Sequence, residues 1–261
     1  MQGPRGDSGA VAGQRAPSAD SGVAGTAILE ARDVTKVYRT AAAEVTALRH
    51  VDLVVEPGEF LAVMGPSGSG KTTLLNCMSG LDDIDSGSVH VDGSEIHAMS
   101  DARRTAHRAR SMGFIFQSFN LIPVLSAAEN VELPLLLIGA RAAKAREQAH
   151  AMLDRVGLGH RHGHKPNELS GGEQQRVAVA RALVSEPAIV WADEPTGNLD
   201  TQMASTVLDL LHEVNRAGQT IVVVTHDPGI GRAARRLVTM QDGAVVADGP
   251  PAQVLEAGSR L

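Results

Sequence analysis

The chain has 261 residues, enough for one large α/β domain or one domain with a small appended lobe. Its formal charge of −6 argues against a nucleic-acid binder, whose affinity comes mostly from Lys and Arg on phosphates. The single cysteine, Cys77, excludes an intramolecular disulfide and a four-cysteine metal site, and it fits a reducing compartment. Hydrophobic residues make up 43% of the chain but aromatics only 2%, so Val, Leu, Ile and Ala must fill the core. No apolar run approaches the roughly eighteen residues needed to cross a bilayer. Residues 1–26 are rich in Gly, Ala, Ser and Pro and lack the apolar stretch of a secretory signal, so they read as a flexible tail.

Ordered sequence is expected from about residue 27. Residues 28–38 and 45–55 carry β-favouring residues between polar breaks and predict strands. Residues 60–64 form a short apolar run that fits a buried strand; a Gly-rich loop follows, then a helix from Lys71 to Ser79 stopped by Gly80. Cys77, on that helix, reads as a small buried hydrophobe. Asp92-Gly93 signals a hairpin within residues 87–96. Phe114 and Phe116 alternate on a predicted strand, which points both to one core face. Residues 126–158 are dominated by Ala, Leu, Glu and Arg and predict a mostly helical lobe, broken near Pro134. Residues 188–192 and 221–224 are buried-strand candidates. Between them Met203, Val207, Leu210, Leu211 and Val214 fall at helical spacing, with Asp200 near the start and Gly218 at the end. Asp242-Gly243 marks a final hairpin, and residues 251–261 are expected to be a C-terminal tail. Strands alternating with helices in this way favour a mostly parallel sheet.

Gly65-Pro66-Ser67-Gly68-Ser69-Gly70-Lys71-Thr72 fits the phosphate-loop pattern at every fixed position. Glycines let successive backbone N–H groups turn onto phosphate oxygens, and the helix N-terminus behind them adds partial positive charge. Lys71 is suited to the β- and γ-phosphates, and the Thr72 hydroxyl to a Mg²⁺ shell. Chance would produce such a match in roughly one chain in a hundred of this length, and its place between a strand and a helix makes chance rarer still. Downstream, an apolar strand ends in Asp193-Glu194. Asp193 is the candidate metal carboxylate, acting through bound water. Glu194 is the candidate general base for the water that attacks the γ-phosphate. Strand ends often carry acids, so this pair gains its weight from the loop.

Leu169-Ser170-Gly171-Gly172-Glu173 admits two readings. Ser170 and Glu173 satisfy a capping box, which needs no ligand. The two glycines behind the serine also expose backbone N–H groups at a helix start, which suits a second anion. Two phosphate-contacting loops in one chain suggest two nucleotides shared across a symmetric dimer.

With these motifs in this order, the sequence resembles the nucleotide-binding domain of ABC transporters over residues 27–250. The resemblance implies a P-loop NTPase core with a mostly parallel sheet, an antiparallel β subdomain, and an inserted α-helical subdomain at about residues 118–168. It implies ATP and Mg²⁺ as ligands, with Thr73 joining the phosphate loop. Gln117 matches the family's Q-loop residue, which senses Mg²⁺ and touches the permease. Asp200 matches the D-loop residue, His226 the switch histidine at the γ-phosphate, and Tyr38 the aromatic that stacks on adenine. Ser170, Gly171 and Gly172 match the signature that holds the nucleotide of a second copy. Within the family the chain is similar to the MacB-type subgroup of lipoprotein-release, macrolide-export and cell-division systems, on Met64-Gly65-Pro66-Ser67-Gly68-Ser69-Gly70-Lys71, Phe116-Gln117-Ser118-Phe119-Asn120-Leu121, Asn130-Val131-Glu132-Leu133-Pro134 and Glu194-Pro195-Thr196-Gly197-Asn198-Leu199-Asp200.

The resemblance therefore implies a homodimeric ATPase that drives a separate integral-membrane permease. It would be cytoplasmic and peripheral on the inner face of the cell membrane. Phe119, Leu121 and Ile122 are the expected docking residues, with core packing as their alternative. A signalling partner that moves no cargo would carry the same chemistry. A DNA- or ribosome-associated ATPase fits less well: the region between phosphate loop and signature has no sustained heptads, and only one cassette is present. No nucleic-acid partner is expected.

Overall fold

The structure of the protein is a computed structural model that describes residues 27–39 and 43–258; the predicted N-terminal tail lies outside them. The chain opens with β1 (Leu29–Arg39), β2 (Glu44–Val55), β3 (Phe60–Met64) and α1 (Lys71–Met78). Then come β4 (Ser86–Val91), β5 (Ser94–Glu95), α2 (Asp101–Ser111) and β6 (Met112–Phe116). Three helices follow, α3 (Ala127–Leu137), α4 (Ala142–Arg155) and α5 (Gly171–Leu183). The chain continues through β7 (Ile189–Asp193), α6 (Thr201–Arg216), β8 (Thr220–Val224) and α7 (Pro228–Ala233). The last elements are β9 (Arg236–Gln241), β10 (Ala244–Gly249) and α8 (Pro251–Gly258).

Two sheets form. One is antiparallel, in the order β2-β1-β4-β5; the other runs β10-β9-β3-β8-β7-β6. In the second sheet β9, β3, β8, β7 and β6 pair in parallel, and only β10 is antiparallel, on β9. Strict alternation along its central strands feeds two cores. Phe60, Ala62, Val190, Ala192, Ile221 and Val223 face a core shared with α3 to α6. Leu61, Val63, Ile189, Trp191, Val222 and Val224 face a second core shared with α1 and the antiparallel sheet. Because both faces are covered, these strands are continuous apolar runs. Cys77 lies fully buried in the second core, and burial pushes its thiol up to about 12.

The structure departs from the sequence expectations in four places. Helix α2 is missing from them because none of its residues is buried, so no apolar period marks it. It is written instead in charge, with Asp101 in the first turn and Arg108 and Arg110 in the last, each suited to the helix dipole. Pro134 does not break the lobe: it sits inside α3, and the interruption falls at Gly139, whose φ of 91° ends the helix. The proline forfeits its own N–H, but the ladder resumes with Ile138 N–H donating to its carbonyl at 3.2 Å. Phe114 and Phe116 share a face but stay half-buried and stack on each other at 5.9 Å, while Ile115 between them fills the core. Finally, residues 251–258, expected as tail, form α8, which seats Val254 in the helical core.

Candidate active site

The parallel strands β3, β7, β8 and β6 all end at the same edge of the sheet, where open α/β sheets bind ligands. Strand β3 delivers the phosphate loop there. Helix α1 has Gly70 as its N-cap, with no side-chain cap and no acid in its first turn, so its first N–H groups are left for an anion. Glycine is required at two loop positions. A Cβ on Gly65 would lie 2.2 Å from the Met240 carbonyl oxygen, and one on Gly70, at φ 99°, would lie 2.4 Å from that of Ala47. Lys71 Nζ donates to the carbonyls of Gly65 and Pro66, both at 2.9 Å, which holds the ammonium inside the loop.

Strand β7 brings Asp193 beneath the loop, where Thr72 Oγ1 donates to its Oδ1 at 3.4 Å. Burial raises the Asp193 carboxyl above its ordinary range, and the adjacent Glu194 charge adds to this; Thr72 and Lys71 pull the other way. A desolvated carboxylate beside a hydroxyl is a hard-oxygen donor pair that suits Mg²⁺. Glu194 follows at φ 46°, a backbone region costly for a residue with a side chain, and its N–H is fixed on the Val224 carbonyl at 2.9 Å. The carboxylate is held at both oxygens: His226 Nδ1 lies 2.7 Å from Oε1, and Thr225 Oγ1 donates to Oε2 at 3.1 Å. Glu194 is 17% exposed and His226 72%, so the carboxylate is sheltered while the histidine faces the cleft.

One cleft of about 1100 Å³ gathers Gly65, Pro66, Ser67, Gly68, Gly70, Lys71, Thr72, Thr73, Glu194 and His226. Ser69 is buried beneath the loop and does not line the cleft. The opposite wall was not legible in sequence. It is built by Val45, Thr46, Ala47 and Arg49 of β2 with the Asp242-Gly243 turn. That turn is locked to the loop, since Gly243 N–H donates to Ser69 O at 3.1 Å and Arg49 Nε to Asp242 O at 3.0 Å. The hairpin signal was readable, but its contact with residues nearly two hundred positions away was not.

The remaining candidates lie outside this cleft. Tyr38 is 39% exposed, with its hydroxyl donating to Asp82 Oδ2 at 2.7 Å and Lys36 Nζ 5.0 Å from its ring centre. Gln117 is turned to the loop after β7: its Nε2 donates to Asn198 Oδ1 at 3.3 Å and its carbonyl accepts from Asn198 Nδ2 at 3.0 Å. Asp200 caps α6 by accepting from Met203 N–H at 2.9 Å. Ser170 caps α5 in a complete capping box, and Ser170 and Gly172 border a separate small cavity. Phe119 sits half-buried beside Gly171, Leu121 packs on the helical core, and Ile122 is exposed.

The sequence profile described as "ABC transporter" matches residues 48–197, more than half of the chain. The chain belongs to the ABC transporter family. It is an ABC ATPase, and the fold is that of the family's cassettes. It is 47% identical over 222 residues to the lipoprotein-releasing system ATP-binding protein LolD of Pseudomonas fluorescens, covering 85% of this chain and 98% of that one. It is 46% identical over 221 residues to the macrolide export ATP-binding/permease protein MacB of Syntrophobacter fumaroxidans, covering 84% of this chain. The cassette spans only 31% of that relative's length. Among solved structures, the dimeric post-hydrolysis cassette MJ0796 bound to ADP and Pi superposes with a TM-score of 0.79 at 41% identity, over 85% of this chain and 98% of that one.

Proposed function

We propose that the cassette is the energy-coupling subunit of a membrane transporter, and that two copies enclose ATP between the Lys71 loop of one and the Ser170–Gly172 signature of the other. One observation carries this reading. Within a single chain the signature borders its own cavity and takes no part in the Lys71 cleft, so a second copy is needed to complete the site. The MJ0796 cassette is dimeric with ADP and Pi bound, which supports a two-copy site.

In this site Lys71 and the N–H groups at the start of α1 neutralise the phosphates, and Tyr38 offers its ring to the base. Thr72 and Asp193, with Gln117 moving in from Asn198, would hold Mg²⁺. Bound there, the ion would offset charge on the β- and γ-phosphate oxygens. Glu194 accepts the proton of the attacking water as that oxygen bonds to the γ-phosphorus and the bond to the bridging β-phosphate oxygen breaks, leaving ADP and phosphate; His226 with Thr225 keeps the carboxylate aimed.

A membrane partner is the finer step. Among the described residues no helix is long and apolar enough to cross a membrane. Relatives named as ATP-binding proteins alone, such as LolD, match over nearly their full length, which supports a permease on a separate chain. A groove lined by Phe114, Phe116, Pro134, Leu137 and Arg181 opens between β6 and α3, flanked by exposed Leu136 and Leu137. An apolar patch of this kind suits a permease helix and moves the docking face from Phe119 to the Phe116–Leu137 groove. Co-expressed with a four-helix membrane permease, the cassette should be recovered with membranes. Leu137→Glu, at a side chain 76% exposed, should lose that recovery while the isolated protein keeps its ATPase activity. Equal membrane recovery of the variant would place docking elsewhere.

A further inference from the structure

The start of α5 is held by more than its own cap. Ser170 Oγ accepts from Glu173 N–H at 3.3 Å, and Glu173 Oε2 accepts from Ser170 N–H at 2.8 Å, which completes the capping box. The second carboxylate oxygen is taken by a residue from another segment: Arg161 Nε donates to Glu173 Oε1 at 2.9 Å. Arg161 is held in turn, with Nη1 3.1 Å from His164 Nε2. A guanidinium has donors only, so His164 Nε2 acts as the acceptor in this contact. Arg161 is 33% exposed and Glu173 14%. The pairing has two effects. The carboxylate cannot rotate, so the Ser170 backbone and hydroxyl are fixed in direction. Its negative charge is also paired, at a poorly solvated position that borders the same small cavity as Ser170 and Gly172. A capping box by itself requires neither.

We propose that Arg161 is a positioning residue for the signature loop, holding Ser170 and neutralising Glu173 so that the second copy's ATP can be received there. This rests on the two-copy reading above and names a residue that touches neither nucleotide nor metal. Its effect belongs to closure of the dimer, not to nucleotide capture by the Lys71 loop of one chain.

The test uses the full chain carrying Glu194→Gln, so that bound ATP persists. ATP-driven dimerisation is measured by sedimentation velocity, and monomer affinity by titration with a fluorescent ATP analogue. Arg161→Ala should weaken dimerisation about tenfold, the scale of one charge-assisted contact, with monomer affinity unchanged. Adding Glu173→Gln, which keeps the capping box and removes the charge, should restore most of the loss. Arg161→Lys should dimerise nearly as the reference does, which guards against a misfolded alanine variant. Unchanged dimerisation in Arg161→Ala, or a parallel fall in monomer affinity, or no rescue by Glu173→Gln, overturns the proposal. A Glu194→Gln reference that stays monomeric with ATP overturns the two-copy reading, and the role of Arg161 falls with it.

Discussion

In the mechanism proposed above His226 acts through Glu194, and this makes its removal a quantitative test of the site. In the structure Glu194 has two side-chain partners, His226 Nδ1 at 2.7 Å and Thr225 Oγ1 at 3.1 Å. His226→Ala removes the shorter and leaves the other. A hydrogen bond to a carboxylate contributes about 1.5–3 kcal/mol, and the 72% exposure of His226 argues for the lower end. About 1.5 kcal/mol of lost orientation corresponds to a fall in turnover of about tenfold. Glu194→Gln, which removes the proposed base, should cost about 10²–10⁴. If the histidine acts by holding the carboxylate, the two losses cannot multiply, and the double variant should be no slower than Glu194→Gln alone. The assay is steady-state phosphate release at saturating ATP and Mg²⁺. Near wild-type turnover in His226→Ala would refute the contact's importance. A double variant slower by the product of the single losses would show that His226 acts on the phosphate independently of Glu194.

Two further predictions concern the loops that flank the nucleotide. Gly70→Ala forces a Cβ against the Ala47 carbonyl at φ 99°, whereas at Gly68, φ 80°, a Cβ meets nothing within 4 Å. Titration should therefore show ATP affinity lost in Gly70→Ala and reduced far less in Gly68→Ala, where backbone strain of about 1–2 kcal/mol is the only cost. Hydrogen bonds from the Ser170 backbone and hydroxyl, together with Arg161, hold the Glu173 carboxyl below its ordinary 4.5. A folded-state value below the unfolded one stabilises the fold above about pH 4.5, and that stability is lost as pH falls through the folded value. Melting curves should thus place Glu173→Gln below wild type at neutral pH and bring the two together in acid. A pH-independent gap would mean that the carboxylate's charge is not the source of the lost stability.

The fold and the nucleotide loop were legible because local chemistry wrote them. The apolar run at residues 60–64, flanked by polar breaks, coincides with β3, and Asp200 with Gly218 bracketed α6. The polar, fully unburied α2 left no period to read, and Pro134 misled because a lost N–H is tolerated in a helix packed on the core. Phe114 and Phe116 stay only half-buried, Phe114 packing in part on the second core, for a different reason. Alternation says which side chains share a face, not whether that face is covered, and here it borders an open groove. In the site, the loop residues that line the cleft, 65–68 and 70–73, were all ones the motif singled out, while Ser69 was singled out and is buried. The roles of Arg49, Asp242 and Arg161 were not legible, since their contacts close over long separations or between segments that no motif joins.

If one chain holds two half-sites and ATP joins them across two copies, the protein's mass in solution must depend on bound ATP. Sedimentation velocity of Glu194→Gln with and without ATP tests this most directly, with Lys71→Ala as the control that should lose phosphate affinity. The expected result is a monomer that becomes a dimer on ATP addition, and no such shift for Lys71→Ala. A Glu194→Gln protein that binds ATP and remains monomeric at every concentration would contradict the two-copy site.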